Sequence, residues 1–324
     1  MSTSNPAISR TSLSDEKAVY SPGLHLFAIF ISVWVFLLIV AGALVTSNDA
    51  GLSVPDWPTS FGSLYKIPPM TGGVQYEHGH RMMAQVSGLL TVIFALWTQV
   101  AYRRWLTWMK ILAWANVALV IAQGVLGGLT VLNLLPWYIS TFHAVLGQTY
   151  FALASLLAIF VSRGWVEGVP TRVVADKGFD FYKLSLIATL AVYYQLFVGA
   201  AFRHGGMHFL PHLIGAGVTT GILLWLVVRA LVGYPSLREV RGPSIGILAL
   251  LMMQVALGFG AYFTRVQWAK SVGHSRTLMV WTTVAHVSMG ALLLAHCFML
   301  AARARRHIGH AGSSSLAADQ VVTA

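Results

Sequence analysis

The chain has 324 residues, of which 56% are hydrophobic and only 10% charged, with a mean hydropathy of +0.70. That composition excludes an ordinary water-soluble surface. A formal charge of +11 suggests nucleic acid in a hydrophilic chain, but here too little polar surface remains to carry such a footprint, so no nucleic-acid partner is expected. The single cysteine, Cys297, lies in an apolar run, which excludes an intrachain disulfide, a thiolate metal cluster and a covalently attached c-type haem.

Residues 1–23 are polar and mixed in charge and do not have the pattern of a removable signal peptide. They read as a mobile cytoplasmic N-terminus. Eight stretches free of Asp, Glu, Lys and Arg follow, near 24–46, 82–102, 111–135, 139–162, 184–202, 209–228, 242–264 and 277–302. At about 1.5 Å per residue each crosses roughly 30 Å of hydrocarbon as a helix. Runs such as IFISVWVFLLIVAGALV lack the alternation of a barrel strand, so the fold class is an all-α integral membrane protein. Residues 164–181, with Pro, Gly and charges, form a linker between two halves at 24–163 and 182–303, and 304–324 is a small, polar, mobile tail. With the N-terminus inside, Lys66, Arg81, Arg203, Arg265, Lys270 and Arg276 fall outside, leaving 15 of the 21 basic residues on the cytoplasmic side. That bias places both termini in the cytoplasm and the protein in the cytoplasmic (inner) membrane, its basic loops against anionic lipids.

The halves are expected to be two pseudo-repeated four-helix bundles. QGVLGG at Gln123 in span three returns as QVALGF at Gln254 in span seven, and HAVLG at His143 in span four returns as HVSMG at His286 in span eight. Gly42-Ala43 in span one resembles Gly199-Ala200 in span five. Each even span carries one histidine in its outer half: His80, His143, His212 and His286. Ionisable groups are costly in a bilayer and are functional candidates for that reason. Two imidazoles on facing helices supply both axial ligands of a haem iron, so His80 with His143, and His212 with His286, form two repeat-related ligand pairs. The bland alternative is hydrogen-bonded structural histidines; copper or zinc fits isolated pairs without carboxylates or thiols less well. His204, His208, His274, His307, His310 and His25 lie in loops or at ends, and His296 lies too far inward to share the iron depth.

Glu77, three residues before His80 in EHGHR, falls on the same helical face if the helix extends back to it. It is then either a carboxylate over a porphyrin edge, its pKa raised by apolar surroundings, or a solvated acid at a helix start. Trp57, in the stiff PDWP segment, is a cofactor cover or an interfacial anchor. Arg81, adjoining His80, ranks first among outer arginines for haem propionates, with lipid phosphate as the competing partner.

AGLSVPDWP, EHGHR, QGVLGGLTV with FHAVLG, and AHVSMGALLLA occur in this order, and the set resembles the heme A synthase family over about residues 24–303. The resemblance implies an oxidoreductase that converts the C8 methyl of heme O to the formyl group of heme A for cytochrome oxidase assembly. It implies that His80 and His143 ligate the substrate haem, that Glu77 is the catalytic carboxylate, and that His212 and His286 ligate a retained haem b. Partners implied are heme O, an electron-transfer partner, a heme O synthase handing over the substrate, and membrane lipids; a homo-oligomer stays open. Two departures stand out. Many bacterial relatives carry outer-loop cysteine pairs, absent here, and RHGGMHFLPH lacks a PDWP counterpart, leaving His204 and His208 near enough to compete with His212. The alternatives are a non-catalytic diheme electron-transfer protein and a transporter with repeated halves.

Overall fold

A computed structural model describes residues 18–103, 106–168, 170, 173–174, 178–268 and 275–309. The chain is an all-α membrane protein: among the described residues, eight helices are long and apolar enough to cross a membrane. They are α1 (Pro22–Ser47), α2 (Gly73–Ala101), α3 (Thr107–Leu132), α4 (Trp137–Phe160), α6 (Phe181–Arg203), α7 (Phe209–Gly233), α8 (Arg238–Tyr262) and α9 (Arg276–His307). A single turn, α5 (Arg163–Val166), follows α4, and α8 runs into a wider π-helical turn over Phe263–Gln267.

Local chemistry explains several boundaries. Pro22 opens α1, where its missing N–H is not needed. Asp180 caps α6 by accepting the Lys183 N–H at 2.7 Å, and Ser275 caps α9 by accepting the Leu278 N–H at 3.3 Å. Inside the spans, hydroxyls such as Ser32, Thr98, Thr189 and Ser288 donate to the carbonyl four residues earlier, so these groups enter the apolar layer already paired.

The largest departure from the sequence reading is at α2. It starts at Gly73, well before the expected 82, because a charge-free window stops at Arg81 although the helix does not. Glu77 and His80 are therefore both helical. At the other end, α9 continues to His307, and β2 (Ile308–Gly309) pairs in parallel with β1 (Val173–Val174). Residues 304–309, assigned above to a loose tail, are thus held to the linker. Arg306 reinforces this by donating to the carbonyls of Trp165, Gly164 and Gly168 and stacking over the Trp165 ring at 4.4 Å. Residues 1–17 and 310–324, with His274, Lys270 and His310, lie outside the described residues.

The packing order positions the histidines. α1, α2, α3 and α4 pack in a closed ring in which each helix touches its sequence neighbours and α4 returns to α1. α6, α7, α8 and α9 form a second ring in the same order, and the rings meet through α1, α4, α6 and α9. In each ring the two histidine-bearing helices, α2 and α4 or α7 and α9, are diagonal across the bundle.

Candidate functional site

Each of the four histidines leans its ring on a glycine of the preceding helix. A Cβ added at Gly42 would lie 3.0 Å from Cε1 of His80; at Gly127, 3.2 Å from His143; at Gly199, 2.8 Å from His212; and at Gly258, 3.1 Å from His286. These spacings are tighter than ordinary side-chain packing, so the absent Cβ is what admits the ring. The repeat seen in the letters is therefore a repeat in space, applied four times.

A glutamine one turn before the glycine completes three of the four units. Gln123 Nε2 donates to the His143 carbonyl at 2.8 Å. Gln195 Nε2 donates to the His212 carbonyl at 2.8 Å and meets Nδ1 of that ring at 3.0 Å. Nδ1 of His286 lies 3.2 Å from the Gln254 carbonyl oxygen, and the Gln254 amide reaches Nε2 only at 3.5 Å. The first unit has Leu38 where the others have glutamine, four residues before Gly42. Sequence reasoning noticed Gln123 and Gln254 but missed Gln195; the signal was the shared Q-x-x-x-G spacing at 123/127, 195/199 and 254/258.

In the second ring, the centres of the His212 and His286 rings are 6.3 Å apart with planes at 90°. Two imidazoles bonded at about 2 Å to opposite faces of one iron place their ring centres about 6 Å apart. Nδ1 of His286 can donate to the Gln254 carbonyl and leave Nε2 for a ligand, the way metal-binding histidines are commonly oriented, while His212 is held through its own carbonyl by Gln195. The residues present therefore fit a bis-histidine haem. His212 is the histidine of its loop region that meets His286. His208 is exposed at the N-cap of α7, and His204 caps the C-terminus of α6, where burial lowers its pKa to about 4 and keeps it neutral.

In the first ring, His80 and His143 lie within electrostatic reach of each other. Nδ1 of each is buried and lies against a backbone carbonyl one turn before the receiving glycine, that of Leu38 for His80 and of Gln123 for His143, as the His286 ring does at Gln254. A cavity of about 420 Å³ opens beside His80, between Trp34, Ala41 and Leu44 of α1 and Tyr76, Gly79 and Met83 of α2, within the size range of small-molecule sites. His80 lines it; His143 does not.

The outer loop between α1 and α2 is clasped by the pair expected to serve the porphyrin. Glu77 is 4% exposed, so it is not the solvated acid of the bland reading. Its surroundings are not apolar either: Oε2 accepts the Val54 N–H at 2.8 Å, and Oε1 pairs with Arg81 at 2.7 Å. Arg81 also donates to the carbonyls of Asp56 at 2.6 Å, Thr59 at 3.1 Å and Val54 at 2.9 Å. All four Nη hydrogens thus have acceptors, and only Nε–H remains for an anion. Arg81 thus organises the loop through its Nη groups.

Asp56 closes the same loop on itself, accepting from the Thr59 hydroxyl and from the N–H groups of Phe61 at 2.7 Å and Gly62 at 2.8 Å. The Thr59 hydrogen bond, with those of the two amides, holds its carboxyl at a pKa of about 2 despite partial desolvation. The fold of the loop sets the Trp57 indole directly over Gly128, next to the glycine that receives His143. His78 bonds Ser60 at 3.0 Å, and His296 bonds the Leu292 carbonyl at 2.9 Å and stays apart from the quartet.

The family model described as "COX15-CtaA: Cytochrome oxidase assembly protein" matches residues 25–73. A protein named Heme A synthase from Alkalihalophilus pseudofirmus is 25% identical over 284 residues, covering 79% of this chain and 92% of its own length. One of the same name from Halalkalibacterium halodurans is 24% identical over 303 residues, covering 82% and 96%. A third, from Lysinibacillus sphaericus, is 30% identical over 188 residues, covering 56% and 58%.

Proposed function

These relatives support the heme A synthase family for this chain, and we propose that it acts in heme A formation by oxidising the C8 methyl group of heme O to a formyl group. The observation that carries the proposal is the pairing of His212 with His286 at bis-histidine spacing, repeated in its glycine contacts by His80 and His143. His212 and His286 are the ligands of a resident haem b; His80 and His143 hold the substrate. The histidine-bearing ends face the outer side of the cytoplasmic membrane, with both termini in the cytoplasm, and the halves 24–163 and 182–303 divide the substrate and cofactor sites.

Haem b, when bound, supplies one-electron redox chemistry. The chain supplies the rest. His80 and His143, on diagonal helices, orient heme O so that a fixed methyl edge faces the loop side, and ligation on both faces leaves its iron no position for oxygen. The methyl carbon is therefore oxidised by electron removal, with water supplying the oxygen. Removing two electrons and two protons and adding one water gives the alcohol, removing two more of each and adding a second water gives the gem-diol, and loss of water leaves the aldehyde; the four electrons pass to an external electron-transfer partner. Glu77, one turn outward from His80, opposes the positive charge developing at that carbon and takes the proton released by water. The Val54–Thr59 loop excludes bulk water over it.

Feeding heme O to the purified protein with an electron acceptor, and identifying the extracted porphyrins by mass and by pyridine haemochrome spectrum, tests this reading. The expected result is heme A with a hydroxylated intermediate. Recovery of unchanged heme O beside haem b would instead make the chain a diheme electron carrier.

A further inference from the structure

The Arg203 side chain is a partly buried cation at the junction of the two bundles. It sits in the last turn of α6, one helical turn outward from Gly199 on the same face, and Gly199 is the glycine that receives the His212 ring. Nη2 is anchored on α1, donating to Ser47 Oγ at 2.8 Å and to the Ala43 carbonyl at 3.2 Å. Nη1 is buried and has no hydrogen-bond partner among the described residues. Arg265, in the π-helical turn after α8, and His286 are both within electrostatic reach of Arg203. The site thus gathers two guanidinium groups beside a neutral His204. The carboxylate within electrostatic reach, Asp49, is paired with Arg276 at 3.3 Å. A buried guanidinium with an unmet N–H is unfavourable unless an acceptor meets it.

The geometry points to Arg203, with Arg265, as the receptor for a carboxylate of the porphyrin held between His212 and His286. This rests on the haem reading of that histidine pair. A carboxylate is the group that fits: planar, anionic and able to take the two-pronged donation a guanidinium offers. Its position also fits, since Arg203 lies one turn outward from Gly199, the residue against which the His212 ring rests. A lipid phosphate has the same anionic chemistry, but Nη1 is enclosed rather than turned to the headgroup layer. The first ring has no equivalent: Thr46, one turn beyond Gly42, bonds the Gly42 carbonyl at 3.4 Å. Arg203 therefore distinguishes the two porphyrin sites and, through Ser47, ties the second to α1 of the first.

The test uses the purified full-length holoprotein in lipid-free detergent. The midpoint potential of its resident haem b and the rate of haem loss to excess apomyoglobin are measured for wild type, Arg203→Gln, Arg203→Lys and Ser47→Ala. Removing a cation that pairs with the porphyrin carboxylate favours the ferric state, so Arg203→Gln is expected to lower the potential and to speed haem loss about tenfold or more. Arg203→Lys should restore most of the potential but less of the retention, because an ammonium keeps the charge and not the fork. Unchanged potential and haem loss in Arg203→Gln would overturn the assignment. So would a full effect from Ser47→Ala, which removes an anchor of Nη2 and leaves Nη1 in place. An Arg203→Gln effect seen only in nanodiscs containing anionic phospholipid, and absent in detergent, would assign the anion to lipid and overturn it equally. A wild-type chain that retains no haem would refute the haem reading itself, an outcome distinct from all of these.

Discussion

A His286→Ala variant is expected to be purified without the porphyrin of its second bundle, while the chain still folds. The ring of His286 makes no contact that the eight-helix packing depends on: it leans on Gly258, meets the Gln254 carbonyl at 3.2 Å and faces His212 at 6.3 Å. On the proposed ligation, deleting it removes one of the two bonds to iron. Loss of an outer partner that merely orients a metal ligand lowers metal affinity about 10- to 100-fold, and loss of the ligand itself should exceed that. The absorbance of resident haem b should fall accordingly, and any residual haem should change from low-spin to high-spin. Glycine at 286 is not an adequate control, since it loosens the helix; His286→Met keeps an axial donor and should retain part of the haem with a raised potential. An unchanged low-spin spectrum in His286→Ala would remove His286 from the ligand set.

The second large effect is expected from Glu77→Gln, with haem retained and aldehyde formation reduced about 10²- to 10⁴-fold, the range for a positioned acid–base group. The structure gives Glu77 a second task, because it ties Val54 and Arg81 to α2, and the two tasks must be separated. Removing one partner of a buried ion pair costs about 3–5 kcal/mol, so Glu77→Ala would confound chemistry with collapse of the loop. Glutamine keeps an oxygen for one of the two donors and most of the volume. If the loop were the whole effect, disrupting it from the far side by Asp56→Asn would match Glu77→Gln, since Asp56 holds the same segment through Phe61 and Gly62. A larger loss in Glu77→Gln than in Asp56→Asn, with unchanged binding of heme O, separates charge from scaffold. Equal losses would make Glu77 a clamp for the loop.

The helices and the histidine quartet were legible in the sequence because both follow from rules that act over short spans. A bilayer rejects charge, so the charge-free runs mark the helices, and HAVLG returns as HVSMG in the second half. What escaped has equally definite causes. The start of α2 was misplaced because Glu77 and Arg81 neutralise each other on one helical face, and a scan for lone charges does not see a pair. Gln195 was overlooked because YYQLFVG shares only a glutamine and a glycine with QGVLGG, while the contact that matters needs those two residues and nothing between them. Arg81 was ranked by its neighbour in sequence, but its reach is set by a loop whose carbonyls converge on it from residues 54, 56 and 59. Arg203 was among the outer arginines considered for propionates, but its anchoring on Ser47 of α1, 156 residues away, is a contact that no local pattern encodes.

The number of low-spin, bis-histidine haems per chain, counted by electron paramagnetic resonance on purified protein loaded with heme O, bears most directly on all of this. Two per chain are expected, one lost selectively in His286→Ala and the other in His80→Ala. A single haem abolished by either substitution, or a high-spin signal in the intact protein, would contradict the pairing of the four imidazoles.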